Sequence, residues 1–561
     1  MNITYKIICS SCHTPISKNS LIEHCPQCGN NWLDIEYSYH TLHHWPDLLS
    51  ERGASLWRYH ELLPIHHQAN IISFGEGWTP LYHAQNLGLM LGHPHIYIKD
   101  ERQGPTGSFK DRQASIAVSA MKEAGIKEAV VASTGNVAIA YSAYCARAGI
   151  KLWVFVTSSV PADKMREVAL YGSEVIKVAG TYDQAKQIAA EFARSKNLFL
   201  DRGLRNLAAR EAMKTIAFEI AEQLGTIFAG HDASLVNGNR FPWRAPDWYL
   251  QAVSGGLGPV GVMKGFQELQ ALGLIEKMPK LGIFQVSGCA PMVSSFEKGL
   301  TEAEDIEQPI TDIATLATGK PGKAYQVLRE LILTYGGTMT AVTDGEAFRA
   351  LKLLAQMDGI SVEPATAVTI AGLIKLIRQG VISPHETVIV NCSGHTFPVE
   401  KHIVGEQYAR DMLANANSEP HGREEGILTA LEEIDGRIQR IAIIEDNLDS
   451  SRLLRRILQA QGDFLIEEAH NGTEGLALIQ RTRPNLVILD LMMPGMDGFA
   501  IVEAMKNDPN LRHIPVIVVT AKELSAIERA RLSGKIKALW QKGSFLDSDL
   551  LQEIKEALPK T

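Results

Sequence analysis

The stretch GPTGSFKDR, Gly104 to Arg112, decides the reading of this chain. It follows the apolar run IYIK (Ile96–Lys99) and precedes a long alanine-rich pattern of helical spacing. The order is strand, glycine-rich turn, then a helix opened by Ser108, with Asp111 three residues on as in a capping box. Lys110 falls in the first turn of that helix, where N–H groups and the helix dipole favour anions and make a further ammonium charge costly. A lysine so placed gives up its proton more readily than one in water, as a lysine that bonds to a carbonyl carbon must.

The chain has 561 residues, too many for one core, and the length predicts roughly three or four domains. Its hydrophobic content of 45% is that of a globular protein, and its net charge of −8 offers no basic field to nucleic acid. No apolar run approaches the roughly 18 residues of a membrane span, and the start MNITYKIICS lacks a signal-peptide pattern. Seven cysteines in such a length fit a reducing cytoplasm rather than a disulfide scaffold. Four of them form Cys9-x2-Cys12 and Cys25-x2-Cys28, with Pro26 and Gly29 as turn residues at the second pair. Two such pairs wrap tetrahedrally around zinc, and with four thiolates no coordination position stays open, which makes the site structural. A redox-active thiol pair is the alternative.

From about residue 70 to 400, apolar strand-like runs alternate with helical patterns. The runs are IYIK, AVVAS (129–133), LWVFV (152–156), EVIKV (174–178), DWYLQAV (247–253), LGIFQVS (281–287) and VIVNCS (388–393). This alternation predicts an α/β fold with parallel sheets and ligands at the carboxyl ends of the strands. Ser133-Thr134-Gly135-Asn136 combines hydroxyls with a helix start, a carboxylate-binding arrangement, and Asn136 offers an amide to a ring oxygen. Ser254-Gly255-Gly256-Leu257-Gly258-Pro259 lets backbone amides approach a phosphate, and it has neither the Walker nor the dinucleotide spacing. Ser393 ends the last run and could meet a pyridine nitrogen. A lysine, an asparagine, a phosphate loop and a serine at four strand ends suit pyridoxal phosphate.

The strings GEGWTPL (75–81), KDERQGPTGSFKDR (99–112), ASTGN (132–136), KTIAFEIAEQLG (214–225), VSGGLGPV (253–260), VEPATA (362–367) and CSGH (392–395) occur in an order that resembles the threonine synthases. These are two-lobed enzymes of pyridoxal phosphate fold type II, the tryptophan-synthase-β-like class, and some carry an N-terminal cysteine ribbon. The resemblance implies that Lys110 forms the Schiff base with the cofactor and acts as general base. It implies that Asn136 bonds the ring hydroxyl, that Gly255, Gly256, Leu257 and Gly258 cradle the 5′-phosphate, and that Ser393 faces the ring nitrogen. Ser133, Thr134, Gly135 and Asn206 would contact a small amino-acid substrate. Three departures bear on that substrate. Val137 replaces a threonine, the phosphate loop reads GGLGP, and the segment NLAAREAMKT has Ala209 where the family has a phosphate-gripping arginine, with Arg210 beside it. One residue along a helix is a rotation of about 100°. The activities implied are conversion of O-phosphohomoserine to threonine or, as alternatives, a serine/threonine dehydratase or a β-replacement enzyme. A non-catalytic amino-acid-binding signalling protein is the rival class. Residues 226–246 read as a polar insertion without an assigned function.

Residues 405–436 are polar and contain Pro420 and Gly422, a linker with a helical second half at ILTALEEIDGRI. Five further strand runs follow from Ile438, ending in Glu445-Asp446, Asp490, Thr520 and Lys542. Carboxylates at adjacent strand ends crowd one another unless a hard cation such as magnesium joins them. The segment 437–561, with LDLMMPGMDG (489–498), resembles a response-regulator receiver of flavodoxin-like (βα)5 fold. That resemblance makes Asp490 the phosphoacceptor and gives magnesium Glu445, Asp446, Asp490 and the Met492 carbonyl. Thr520 and Lys542 become the switch, and the phosphodonor partner a histidine kinase or phosphotransfer protein. Gly543 in place of proline, and Leu539 in place of the switch aromatic, depart from the pattern. The expected organisation is a zinc ribbon (1–40), the pyridoxal phosphate enzyme (41–404), the linker and the receiver (437–561), a homodimer whose output is the enzyme itself.

Overall fold

The computed structural model describes residues 5–16, 20–39, 42, 45–133, 135–157, 162–229, 243–395, 439–459, 464–522 and 524–541, and there the apolar runs become strands of four sheets. The first compact unit contains the described residues of 5–84, 95–352 and 361–395. It begins with an antiparallel sheet of β1 (Tyr5–Cys9), β2 (Pro15–Ile16) and β3 (Leu33–Tyr37) in the order β2-β1-β3. Alternate residues of β1 and β3, including Ile7, Cys9, Leu33 and Ile35, turn into the core, so period-2 patterning fixes which face is buried.

Two largely parallel sheets follow. The larger orders β12 (Gly337–Val342), β11 (Lys280–Val286), β10 (Trp248–Ala252), β13 (Val388–Cys392), β5 (Ile96–Asp100) and β4 (Leu81–His83), with only β4 antiparallel. The smaller orders β8 (Glu174–Val178), β7 (Lys151–Thr157), β6 (Glu128–Ser133) and β9 (Phe199–Asp201). The strands β5, β10 and β13 are buried almost throughout, as strands covered by helices on both faces must be. Four helices carry the argument below: α1 (Lys110–Glu123), α2 (Asn136–Ala148), α3 (Leu207–Ala229) and α4 (Leu257–Ala271). Helices α3 and α4 approach closely because Gly261 and Gly265 have no side chains. A Cβ on either would stand 2.5 Å from a carbonyl oxygen of α3. This contact fixes the helix that the glycine loop opens.

Three expectations change. Ser108 and Asp111 do not form a capping box: α1 begins at Lys110 without a side-chain cap, and Asp111 reaches back to the Thr106 N–H and hydroxyl at 3.0 and 2.7 Å. The carboxylate closes the glycine-rich turn instead, where Thr106 offers it two donors, its N–H and its hydroxyl. Residues 226–229 extend α3 rather than opening an insertion, and most of the remainder of 226–246, like the linker 405–436, lies outside the described residues. The strands β4, β9 and β12 went unnoticed in the sequence.

In the second unit, residues 439–541 form a parallel sheet ordered β15 (Phe464–Ala469), β14 (Gln439–Ile444), β16 (Leu486–Leu489), β17 (Val516–Thr520) and β18 (Ala538–Gln541). Among the described residues no helix is long and apolar enough to cross a membrane.

Candidate active site

A cavity of about 450 Å³ opens between the two parallel sheets of the first unit. Lys110, Ser133, Asn136, Val137, the Ser254–Pro259 loop and Ser393 all line it. Of GPTGSFKDR, only Phe109 and Lys110 reach it, with the Lys110 Nζ 4.2 Å from the Phe109 ring centroid. Arg112 points the other way, into a buried ion cluster with Glu101 and Glu219, which Lys99 joins at 2.7 Å from Glu219. Against the upward push of burial, Arg112 and Lys99 hold the Glu219 carboxyl down to about 2. The Lys110 turn is also tied to the end of β13, since Phe109 N–H donates to the Ser393 carbonyl at 3.0 Å and His395 N–H to that of Gly107 at 2.9 Å. Burial pushes the Lys110 ammonium down to about 8, while the Glu363 and Asp201 carboxylates pull it back up.

The other predicted residues take different parts. Ser133 Oγ accepts from the N–H groups of Gly135 and Ala138 at 3.0 Å each, so it caps α2 as well as lining the cavity. Gly135, at φ +147°, occupies a conformation closed to other residues, and Thr134 lies outside the described residues. Gly255 has open space where a Cβ would stand, and Gly256 at φ +79° starts α4. The loop therefore offers bare backbone N–H groups at a helix N-terminus, the arrangement that a phosphate monoester needs. Asn206 is not among the cavity residues. Its side chain donates to Asp201 at 2.6 Å and accepts from Ala209 N–H.

Two carboxylates were missed in the sequence. Glu363 accepts from Asn136 Nδ2 and from Ser393 Oγ, both at 2.7 Å, and so holds together two groups from different sheets. The string VEPATA contains it, with nothing in the string to show what it touches. Asp201, at the end of β9, accepts from Tyr141, Asn206 and the Gly203 N–H, and burial raises its carboxyl above the usual range.

A family model described as "Pyridoxal-phosphate dependent enzyme" matches residues 72–394. The chain belongs to this family. It is 35% identical to the threonine synthase of Methanocaldococcus jannaschii over 393 residues, 69% of this chain and 91% of that one. It is 32% identical to the threonine synthase of Methanosarcina acetivorans, covering 70% and 91%, and 32% identical to that of Synechocystis sp., covering 58% and 80%. A "Response regulator receiver domain" model matches residues 441–543.

In this pyridoxal-phosphate family member Ala209 is fully buried, and Arg210 does not substitute for it in the cavity. The Arg210 guanidinium stacks 4.6 Å from the Trp32 ring, donates to the Leu33 carbonyl and lies 3.5 Å from Asp34. Its charge anchors the N-terminal sheet. At the end of β1 the sulfur atoms of Cys9 and of Cys12, Cys25 and Cys28 from the adjoining turns lie within 4.8 Å of one another. In the receiver, the carboxylate oxygens of Glu445, Asp446 and Asp490 do the same. Asp490 accepts from the Met492 N–H at 3.1 Å, and the Met492 side chain is exposed. Thr520 is buried at the end of β17, and Lys542 lies outside the described residues.

Proposed function

We propose that this chain is a lyase converting O-phosphohomoserine and water into threonine and phosphate. The observation that carries the reading is the convergence of Lys110, Asn136, the 255–258 loop and Ser393 on one cavity, in a chain whose relatives are threonine synthases. In the net reaction Cγ exchanges phosphate for a proton, and Cβ exchanges a proton for hydroxyl. Pyridoxal phosphate, when bound, supplies an electron sink beside the substrate Cα. Lys110 Nζ holds it and moves protons at the substrate carbons, a task suited to an amine near neutrality. The N–H groups of the 255–258 loop hold the 5′-phosphate, Asn136 and Ser393 orient the ring, and Ser133, Thr134 and Gly135 receive the substrate carboxylate. Ser393, a hydroxyl rather than a carboxylate, would leave the ring nitrogen unprotonated and the sink mild. Incubation with phosphohomoserine should release phosphate and threonine in equal amounts. Turnover of serine or threonine without turnover of phosphohomoserine would overturn the reading in favour of β-elimination or β-replacement, which Val137 in the cavity wall favours.

The proposal extends to the other modules, with limits at 1–40, 41–404 and 437–561; the family matches fall inside the last two. Zinc–sulfur bonds of about 2.3 Å put tetrahedral sulfurs about 3.8 Å apart, and the pairs Cys9–Cys28 and Cys12–Cys25 stand at 3.5 and 3.6 Å, which supports zinc. None of the seven cysteines is in a disulfide, in keeping with a reducing cytoplasm. Magnesium would bind Glu445, Asp446, Asp490 and the Met492 carbonyl, and a histidine kinase or phosphotransfer partner would phosphorylate Asp490, with Thr520 and Lys542 as the switch. We expect a homodimer whose activity or assembly responds to that phosphate. Acetyl phosphate that alters neither kinetics nor oligomeric mass would count against this regulation.

A further inference from the structure

Phosphohomoserine carries a phosphate dianion on Cγ, at the end opposite its α-carboxylate, and such a group binds through charge-assisted hydrogen bonds. The cavity is bipolar in the matching sense. Its buried acids, Asp201 and Glu363, stand near Lys110, whereas its exposed lining residues include Arg202, Arg205, Lys320 and Lys323. Most of the lining cations already have partners. Lys186 pairs with Asp183 at 2.5 Å, Arg202 with Glu23 at 3.1 Å, and Lys320 with Asp305 and Glu307 at 3.7 and 3.8 Å. Lys323 donates to Gln326 at 2.6 Å. Among the described residues the Arg205 guanidinium has no ion pair or hydrogen bond.

The backbone explains its position. After β9 delivers Asp201 to the cavity, the chain makes a tight 3-10 turn, Gly203–Arg205, and Asn206 then opens α3. Gly203 sits at φ +58° and donates to Asp201, so the turn is pinned to the buried acid. Arg205 is thus held by a rigid base, with five donors in a planar fork suited to a phosphate. Of the other arginines on this stretch, Arg202 pairs with Glu23, and Arg210 is committed to Trp32, Leu33 and Asp34.

We infer that Arg205 is the specificity-determining residue for the substrate phosphate. This rests on the phosphohomoserine reading, and the test separates the two. The holoenzyme is titrated with 2-amino-5-phosphonopentanoate, a non-reacting phosphonate of the same length, and with norvaline, which lacks the acidic group. Binding is followed by the cofactor's absorbance. R205Q should weaken the phosphonate on the order of tenfold to a hundredfold and norvaline less than twofold, and should raise KM for phosphohomoserine far more than it lowers kcat. R205K, a point charge without the fork, should recover part of the loss. Equal loss for both ligands would mean that Arg205 only shapes the cavity, and would overturn the inference. Unchanged phosphonate binding in R205Q would overturn it while leaving the phosphohomoserine reading intact. A wild-type enzyme that binds norvaline at least as well as the phosphonate, and does not convert phosphohomoserine, would overturn both.

Discussion

In the first unit, strand ends of two different sheets, β5, β10 and β13 of the larger and β6 of the smaller, bring one ammonium group, Lys110, together with an amide, a hydroxyl and bare N–H groups. In the second unit, two adjacent strands of a single sheet, β14 and β16, bring three carboxylates together. The position in the architecture is the same, but the electrostatic problem is opposite. Burial around Lys110 lowers its ammonium to about 8, so that the nucleophilic amine forms at a milder pH than in water. Crowding at Glu445, Asp446 and Asp490 favours a cation between them, the setting proposed above for phosphate acceptance at Asp490. The difference lies in what covers the site: the lysine is framed by two sheets, whereas Asp446 stays exposed to solvent.

If the two pockets are chemically separate, K110A should lower turnover on the order of 10^4-fold and abolish covalent cofactor retention, while acetyl-phosphate labelling of the chain continues. Loss of labelling in K110A would break the separation. The buried charges beneath Lys110 sharpen the contrast. R112M should destabilise the first unit by about 3–5 kcal/mol, since it strands Glu101 without its cation and leaves Glu219 with Lys99 alone, and urea unfolding measures this. D490N should abolish labelling and weaken magnesium by roughly tenfold, read by calorimetric titration. The smallest effect concerns protons. Capture of the cofactor needs the neutral amine, so its rate should rise with pH and level off above about 8, where water-exposed lysines are still charged. Glu363 pulls the Lys110 value upward, so E363Q should move that midpoint to lower pH by less than about one unit. A shift to higher pH would show that Glu363 acts on Lys110 other than by its charge.

Much of the framework was legible along the chain. All seven strand runs between 96 and 393 appear as strands, because buried parallel strands write themselves as continuous apolar segments. The short β4 and β9, and the half-exposed β12, lack that signature. Asp111 misled for a related reason: Ser-x-x-Asp fits a helix start, but the glycine turn competed for the same carboxylate and won.

What the sequence by itself determined is the set of elements and the turn chemistry at their ends, since hydrophobic period, glycine placement and cysteine spacing are local properties. Only the tertiary structure decided which groups meet. Glu363 joins Asn136 to Ser393 across two sheets, Arg210 turns to the N-terminal sheet, and Arg205 is left facing the cavity. These are contacts between residues distant in the chain or choices among neighbouring rotations, and they follow from how helices and sheets pack.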